Sequence, residues 1–237
     1  MSKRAHCFSK THPVQTVRCF ASPPWDDSNN QSSSSFFTMA KPAPIKFQLK
    51  RKRLPFNPHL FFRVVQDVDS YPQFVANMPS CYAEPASKQE TVGERTVKGK
   101  FDAPTQIGFN AISFEYTSRV SYVHPILPVN LHPSSEKLAS LRWRVSTETD
   151  SSRIFNSLKS TWRIQPDLEK PLNYCLVDYE IEMEFASALY SAVTNQFFNL
   201  LVASIDSQFA DRCQVITDRG LYKDEYISCD AHGKETV

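Results

Sequence analysis

The chain has 237 residues, a formal net charge of +2, five glycines, and 12% aromatic residues that include 17 Phe and 9 Tyr. That length fits one domain of about 150 residues plus tails. The small net charge makes no electrostatic case for a nucleic-acid partner, and there is neither a P-loop nor a GxGxxG phosphate loop. Cysteines at 7, 19, 81, 175, 213 and 229 form no CxxC pair, and the six histidines show no HExxH or paired spacing. These spacings argue against a disulfide framework and a metal site.

Residues 1–25 carry Lys3, Arg4, Lys10 and Arg18 and no acid before Asp26. A basic, acid-free head interleaved with Ser and Thr has the composition of a mitochondrial transit peptide. Arg18-Cys19-Phe20-Ala21 resembles a matrix-protease cleavage site; an ordinary disordered N-terminus is the competing reading. Residues 26–44, with a Ser run at 32–35, form a linker without core-building content. The folded domain is expected over 45–216, with a polar, flexible tail over 217–237.

Ile45–Leu54 alternates weakly and is rich in Lys and Arg, which predicts an edge strand protected from further pairing. Asn57 is placed to cap a helix that starts at Pro58, with Leu60, Phe61, Val64, Val65 and Val68 on its apolar side. The Tyr71-Pro72 step breaks it, and Pro72 is expected to open a second short helix through Val75. Strands are expected near 80–88, 91–102, 106–123, 138–147, 156–165 and 174–185. Ile112, Phe114, Tyr116 and Val120 share one face of the third, and Trp143, Leu158 and Trp162 lie on later ones. From Cys175 to Phe185 the odd positions are apolar, while Asp178, Glu180, Glu182 and Glu184 face the other way. This is the period of a half-buried antiparallel strand.

After Ala186 the period lengthens to that of a helix, expected over 189–215. Its apolar arc includes Leu189, Val193, Phe197, Leu200 and Leu201, and Phe198, Val202, Ile205 and Phe209 widen it. A stripe somewhat over 100° suffices to pack a helix on a sheet. The surplus calls for a cavity, a partner, a membrane surface, or simply the two short helices. The order of elements predicts an α+β fold: a curved antiparallel sheet of about six to seven strands around a long C-terminal helix, with two short helices after the first strand.

An interior left open in such a cup would be lined almost wholly by aromatic and aliphatic groups, which suits an apolar ligand with few polar anchors. The polar candidates for a head group are Tyr71, Tyr116, Ser118 and Arg119. No nucleophile, acid/base pair or metal set stands out. Asp67 and Asp69 fit an ordering role at the helix break, with Arg119 as a partner for one of them.

The segments DVDSYPQFV from Asp67, FEYTSRV from Phe114, FNSLKSTWRI from Phe155 and VDYEIEMEFASALYSAV from Val177, with Phe209-Ala210-Asp211-Arg212 after them, occur in one order and spacing. Together they resemble the mitochondrial coenzyme Q-binding proteins of the START-like (polyketide cyclase/lipid-transport) superfamily, most of all fungal members. The resemblance implies a helix-grip fold and non-catalytic binding of ubiquinone, or its late polyprenylated precursors, in an apolar tunnel. It implies no catalytic cofactor, a peripheral place on the matrix side of the inner membrane, and a role in respiration and ubiquinone synthesis. Quinone-biosynthesis or respiratory complexes are the implied protein partners.

Carried over by position, Tyr71, Pro72, Phe74 and Val75 fall at the tunnel mouth. Phe114, Tyr116, Leu158 and Trp162 fall on strands, and Val193, Phe197 and Leu201 on the gripping helix. Val64, Ile112 and Trp143 complete the expected lining. The chain departs from the family pattern at Ala76-Asn77-Met78, at Arg153-Ile154, and in a longer segment from Val123 to Ser152. Two alternatives remain open: a cyclase- or hydratase-like enzyme, which needs an internal His or carboxylate pair, and an interaction module docking through the apolar helix.

Overall fold

The first strand pairs with the last. β1 (Ile45–Leu54) lies antiparallel to β8 (Cys175–Phe185), so the first and last strands of the described residues meet in one ladder. In this computed structural model the described residues are 44–109, 112–126, 138, 140–187 and 204–222, with the side chains of Phe109 and Ile112 left out. After β1 come α1 (Pro58–Gln66), a 3-10 turn (Val68–Gln73), β2 (Ser80–Cys81), a short 3-10 turn (Pro85–Ser87), β3 (Gln89–Val92), β4 (Thr96–Phe109), β5 (Ile112–Pro125), β6 (Trp143–Thr149) and β7 (Phe155–Pro166). The sheet has eight strands in the order β1-β8-β7-β6-β5-β4-β2, with β3 also on β4. Because β1 and β2 stand at opposite edges, the chain from 55 to 79 must cross the sheet, and α1 packs on β6 and β7 as it does so. A final helix, α2, is described over residues 204–218.

Local chemistry fixes these elements. Asn57 Oδ1 accepts from the His59 amide at 2.8 Å, and Pro58 occupies the first turn, where its missing N–H costs nothing. The helix buries Leu60, Phe61, Phe62, Val64 and Val65, each contributing roughly 1.5–3 kcal/mol. Asp67 ends it. Its carboxylate accepts from Ser70 Oγ at 2.5 Å, while Asp69 accepts from the Ala83 amide at 2.7 Å. Both acids therefore order the break. The second helical element differs from expectation: it is a 3-10 turn that starts at Val68 and carries Pro72 near its end. Arg119 lies 3.5 Å from Asp102 and 4.0 Å from Asp150, and so pairs with neither Asp67 nor Asp69.

The strand pattern is corrected at β4. A single strand runs from Thr96 to Phe109, straight through Pro104. Pro104 is tolerated because its carbonyl, and hence its missing N–H, faces away from β5. That carbonyl accepts from the Tyr82 amide at 3.3 Å, so no β4–β5 ladder bond is lost. Residues 80–88 form only a two-residue strand, followed by bonds from Tyr82 and Glu84 to β4.

β1 also contains a bulge. Leu49 faces Tyr179 and Lys52 faces Val177, leaving Lys50 and Arg51 to oppose one residue. Arg51 takes φ 49°, and its amide donates to Asp178 at 2.8 Å. The extra residue turns Lys52 toward α2, where it pairs with Asp206, and buries Leu54. At the far end, α2 runs past the expected boundary at 216. Gly220 adopts φ 61° as its cap, and Tyr222 reaches back to His59 Nδ1 at 3.1 Å.

Candidate ligand-binding cavity

The concave face of the sheet is built by period-two alternation. β8 turns Cys175, Val177, Tyr179, Ile181, Met183 and Phe185 inward, all buried. The charged face opposite is laced by pairs such as Lys46–Glu182 at 2.9 Å and Lys159–Glu148 at 2.7 Å. α2 seats on the concave side through Phe209, whose ring meets Trp162 at 5.1 Å, Phe74 at 5.2 Å and Tyr71 at 5.3 Å. Trp162 in turn lies against Tyr179 at 4.1 Å and Phe61 at 5.8 Å. The Tyr71 hydroxyl donates to the Val65 carbonyl, which holds the 3-10 turn against the end of α1.

Behind this aromatic wall lies a cavity of about 140 Å³, enclosed by β4–β8, the 3-10 turn and α2. An apolar cavity of about 150 Å³ accommodates one benzene ring, so the space admits a single ring. Among its described lining residues Ala76 is exposed, and Met78 and Ile205 are half-buried. There the Ala76 amide donates to Gln208 Oε1 at 3.0 Å, and Asn77 takes φ 61° to make the turn. No Lys, Arg, His, Asp or Glu is among the described lining residues. The titratable groups present are held neutral. Burial pushes the phenols of Tyr71, Tyr116 and Tyr179 above the ordinary tyrosine range, and burial likewise raises the Cys81 thiol.

Of the residues expected from sequence, Tyr71, Val75, Tyr116, Leu158 and Trp162 line this cavity. Others are not among its described lining: Val64 faces the opposite side of α1, Pro72 is exposed on the turn, Phe74 packs on Phe209, Phe114 is half-buried against the core, and Trp143 is buried within it. The side chain of Ile112, and Val193, Phe197 and Leu201 entirely, lie outside the described residues. Sequence reasoning missed Thr105, Thr147 and Ser160 on the concave face, and Tyr179 as a polar group within it. Their signal is cross-strand register, which a strand-by-strand pattern does not contain.

A larger groove of about 770 Å³ lies beyond α1, between the β3–β4 hairpin and the end of α2. It is open and bordered by Arg63, Asp67, Lys88, Glu90, Lys100 and Arg212. Those charges stay hydrated there, so the smaller inner cavity is the better place for an apolar ligand. Among the described residues no cluster of His, Cys, Asp or Glu is placed to hold a metal, and no helix is long and apolar enough to cross a membrane.

A bent antiparallel sheet gripping a C-terminal helix over a small apolar cavity defines a START-like helix-grip protein. A family model described as polyketide cyclase / dehydrase and lipid transport matches residues 54–210, and the chain belongs to that family. It is 29% identical over 164 residues to the mitochondrial coenzyme Q-binding protein COQ10 of Drosophila melanogaster, covering 69% of this chain and 57% of the relative. It is 25% identical over 158 residues to the mitochondrial coenzyme Q-binding protein COQ10 homolog B of Xenopus laevis, covering 67% and 54%. The chain thus spans little more than half the length of these curated relatives. Among solved structures, the Zhui aromatase/cyclase of a Streptomyces species superposes with a TM-score of 0.50 at 9% identity, over 74% of this chain and 95% of that one, which shows the fold alone.

Proposed function

We propose that the chain binds and carries a neutral lipid quinone, ubiquinone or a late polyprenylated precursor of it, without catalysing a reaction upon it. The observation that carries this reading is the inner cavity, a ring-sized apolar space with neutral hydroxyls and no charge among its described lining. It suits the head ring of such a lipid, with the prenyl tail leaving past Ala76, Met78 and Ile205. The relatives named as coenzyme Q-binding proteins support the choice of ligand. The described lining lacks the His or carboxylate pair that a cyclase-like reaction would need. The role that follows is support of respiration and of ubiquinone synthesis, with hand-over to quinone-using or quinone-making complexes. Titration with a short-chain ubiquinone tests it: Trp162 lines the cavity, so its fluorescence should quench saturably. Ile181→Phe, which fills the cavity with a ring, should abolish the quench while the fold survives.

The proposed location is the matrix face of the mitochondrial inner membrane. Residues 1–25 then serve as transit peptide, 26–44 as linker, 45–216 as the quinone-binding domain and 217–237 as a tail. The acid-free basic head and the mitochondrial names of the relatives support this. The exposed Lys50 and Arg51 of the β1 bulge give a peripheral contact for anionic head groups, at about 1 kcal/mol per charge near such a surface. Reversing the charges of Lys50 and Arg51, and sparing Lys52 because it pairs with Asp206, should reduce co-sedimentation with cardiolipin-containing liposomes. Unchanged co-sedimentation would remove the contact from the account.

A further inference from the structure

Three neighbouring strands each place one hydroxyl on the cavity wall. Thr147 Oγ1 of β6 lies 2.7 Å from Ser160 Oγ of β7, and Tyr179 of β8 lines the same wall. Each hydroxyl owns one proton. The Thr147–Ser160 bond uses one of that pair's two protons and leaves the other to donate. Tyr116, on β5, adds a second donor: its phenol lines the same cavity and has no hydrogen-bond partner among the described residues. A buried donor left without an acceptor is unfavourable, so the wall is set for a ligand that brings acceptors. The charge pattern points the same way. No described lining residue is a cation, so an anionic ligand would lose its hydration with no counter-charge to replace it.

We propose that the Thr147 and Ser160 hydroxyls, with the Tyr179 and Tyr116 phenols, form the seat of the ligand's ring. The seat accepts a ring with neutral oxygen acceptors, such as carbonyl or ether groups, and rejects a ring of the same size that carries a carboxylate. The inference rests on the carrier reading above and adds where the head lies and what it must not bear. It also assigns the apolar aromatic wall, with Trp162 and Phe209, a packing role against the ring rather than a polar one.

Four probes with the same two-isoprene tail test it on the full-length protein at pH 7, read by tryptophan quenching: a ubiquinone, a hydroxybenzoate, the methyl ester of that benzoate, and the tail as a plain hydrocarbon. The ubiquinone and the ester should bind within a few-fold of each other, with the benzoate at least about tenfold weaker. Tyr116→Phe and Ser160→Ala should each weaken the ubiquinone by about threefold to tenfold and leave the hydrocarbon unchanged, with unaltered circular dichroism and melting midpoint. Two results would overturn the seat alone: a benzoate that binds as tightly as its ester, or variants that weaken ubiquinone and hydrocarbon equally. If no probe binds, the carrier reading falls and the seat falls with it.

Discussion

Phe209 is the aromatic residue by which the described part of α2 grips the sheet, and its removal has a calculable cost. The side chain is 2% exposed and its ring contacts those of Trp162, Phe74 and Tyr71. Buried Phe→Ala substitutions cost about 3–5 kcal/mol, and the cost rises with the volume that fails to collapse. Collapse is restricted here, because Trp162 stands on β7 between hydrogen-bonded β6 and β8, and the deleted ring borders space that is already empty. The loss of Phe209→Ala should therefore fall in the upper half of that range, about 4 kcal/mol, which is a large share of the 5–15 kcal/mol typical of a domain. Urea unfolding followed by tryptophan fluorescence measures it, with an unchanged slope showing that the denatured state is the same. Phe209→Leu, which keeps most of the volume, should lose no more than about 1.5 kcal/mol. A loss below about 1 kcal/mol for Phe209→Ala would refute the reasoning, since the ring would then not hold the helix on the sheet.

Further outcomes follow from single contacts. A Cβ at Gly99 would overlap the Tyr122 ring, so Gly99→Ala should expel that ring and break its 2.6 Å bond to Glu90. The expected loss is about 2–4 kcal/mol, visible as a lower melting midpoint, and an unchanged midpoint would mean the ring does not lie over that glycine. Burial, with help from Arg63 and His124, lowers the pKa of His59 from 6.5 to about 4. The unfolded chain therefore takes up this proton at higher pH than the folded one. The stability that neutral His59 confers is complete above pH 6.5 and drains away as the pH falls toward 4, by at most about 3 kcal/mol. His59→Phe should flatten that part of the stability–pH curve, and an unaltered slope would locate the proton uptake elsewhere.

Much of this fold is legible in the sequence because burial enforces strict periods. In β8 every inward position from Cys175 to Phe185 is apolar or Tyr, and the burial alternates without a break. Asn57 and Pro58 announce α1 for the same local reasons that the structure shows. β4 was harder, because Pro104 reads as a strand breaker until its orientation toward Tyr82 is known. The cavity was half visible. Its aromatic wall, Trp162 and Tyr71 included, belongs to obvious apolar faces. Thr105, Thr147 and Ser160 are small and polar, so within their own strands they read as solvent-facing. They meet only because β4 to β8 pair in a particular register, a long-range property. By pattern alone Lys52 belongs to the basic edge of Ile45–Leu54. Its inward turn to Asp206 depends on the bulge at Lys50-Arg51, which no period predicts.

Solvent extraction of the purified full-length protein, with mass spectrometry of what is released, tests the central claim most directly. The account predicts a neutral polyprenyl quinone in near-stoichiometric amount, absent from the Ile181→Phe variant although its circular dichroism is unchanged. A protein that emerges empty and takes up no added ubiquinone would contradict it.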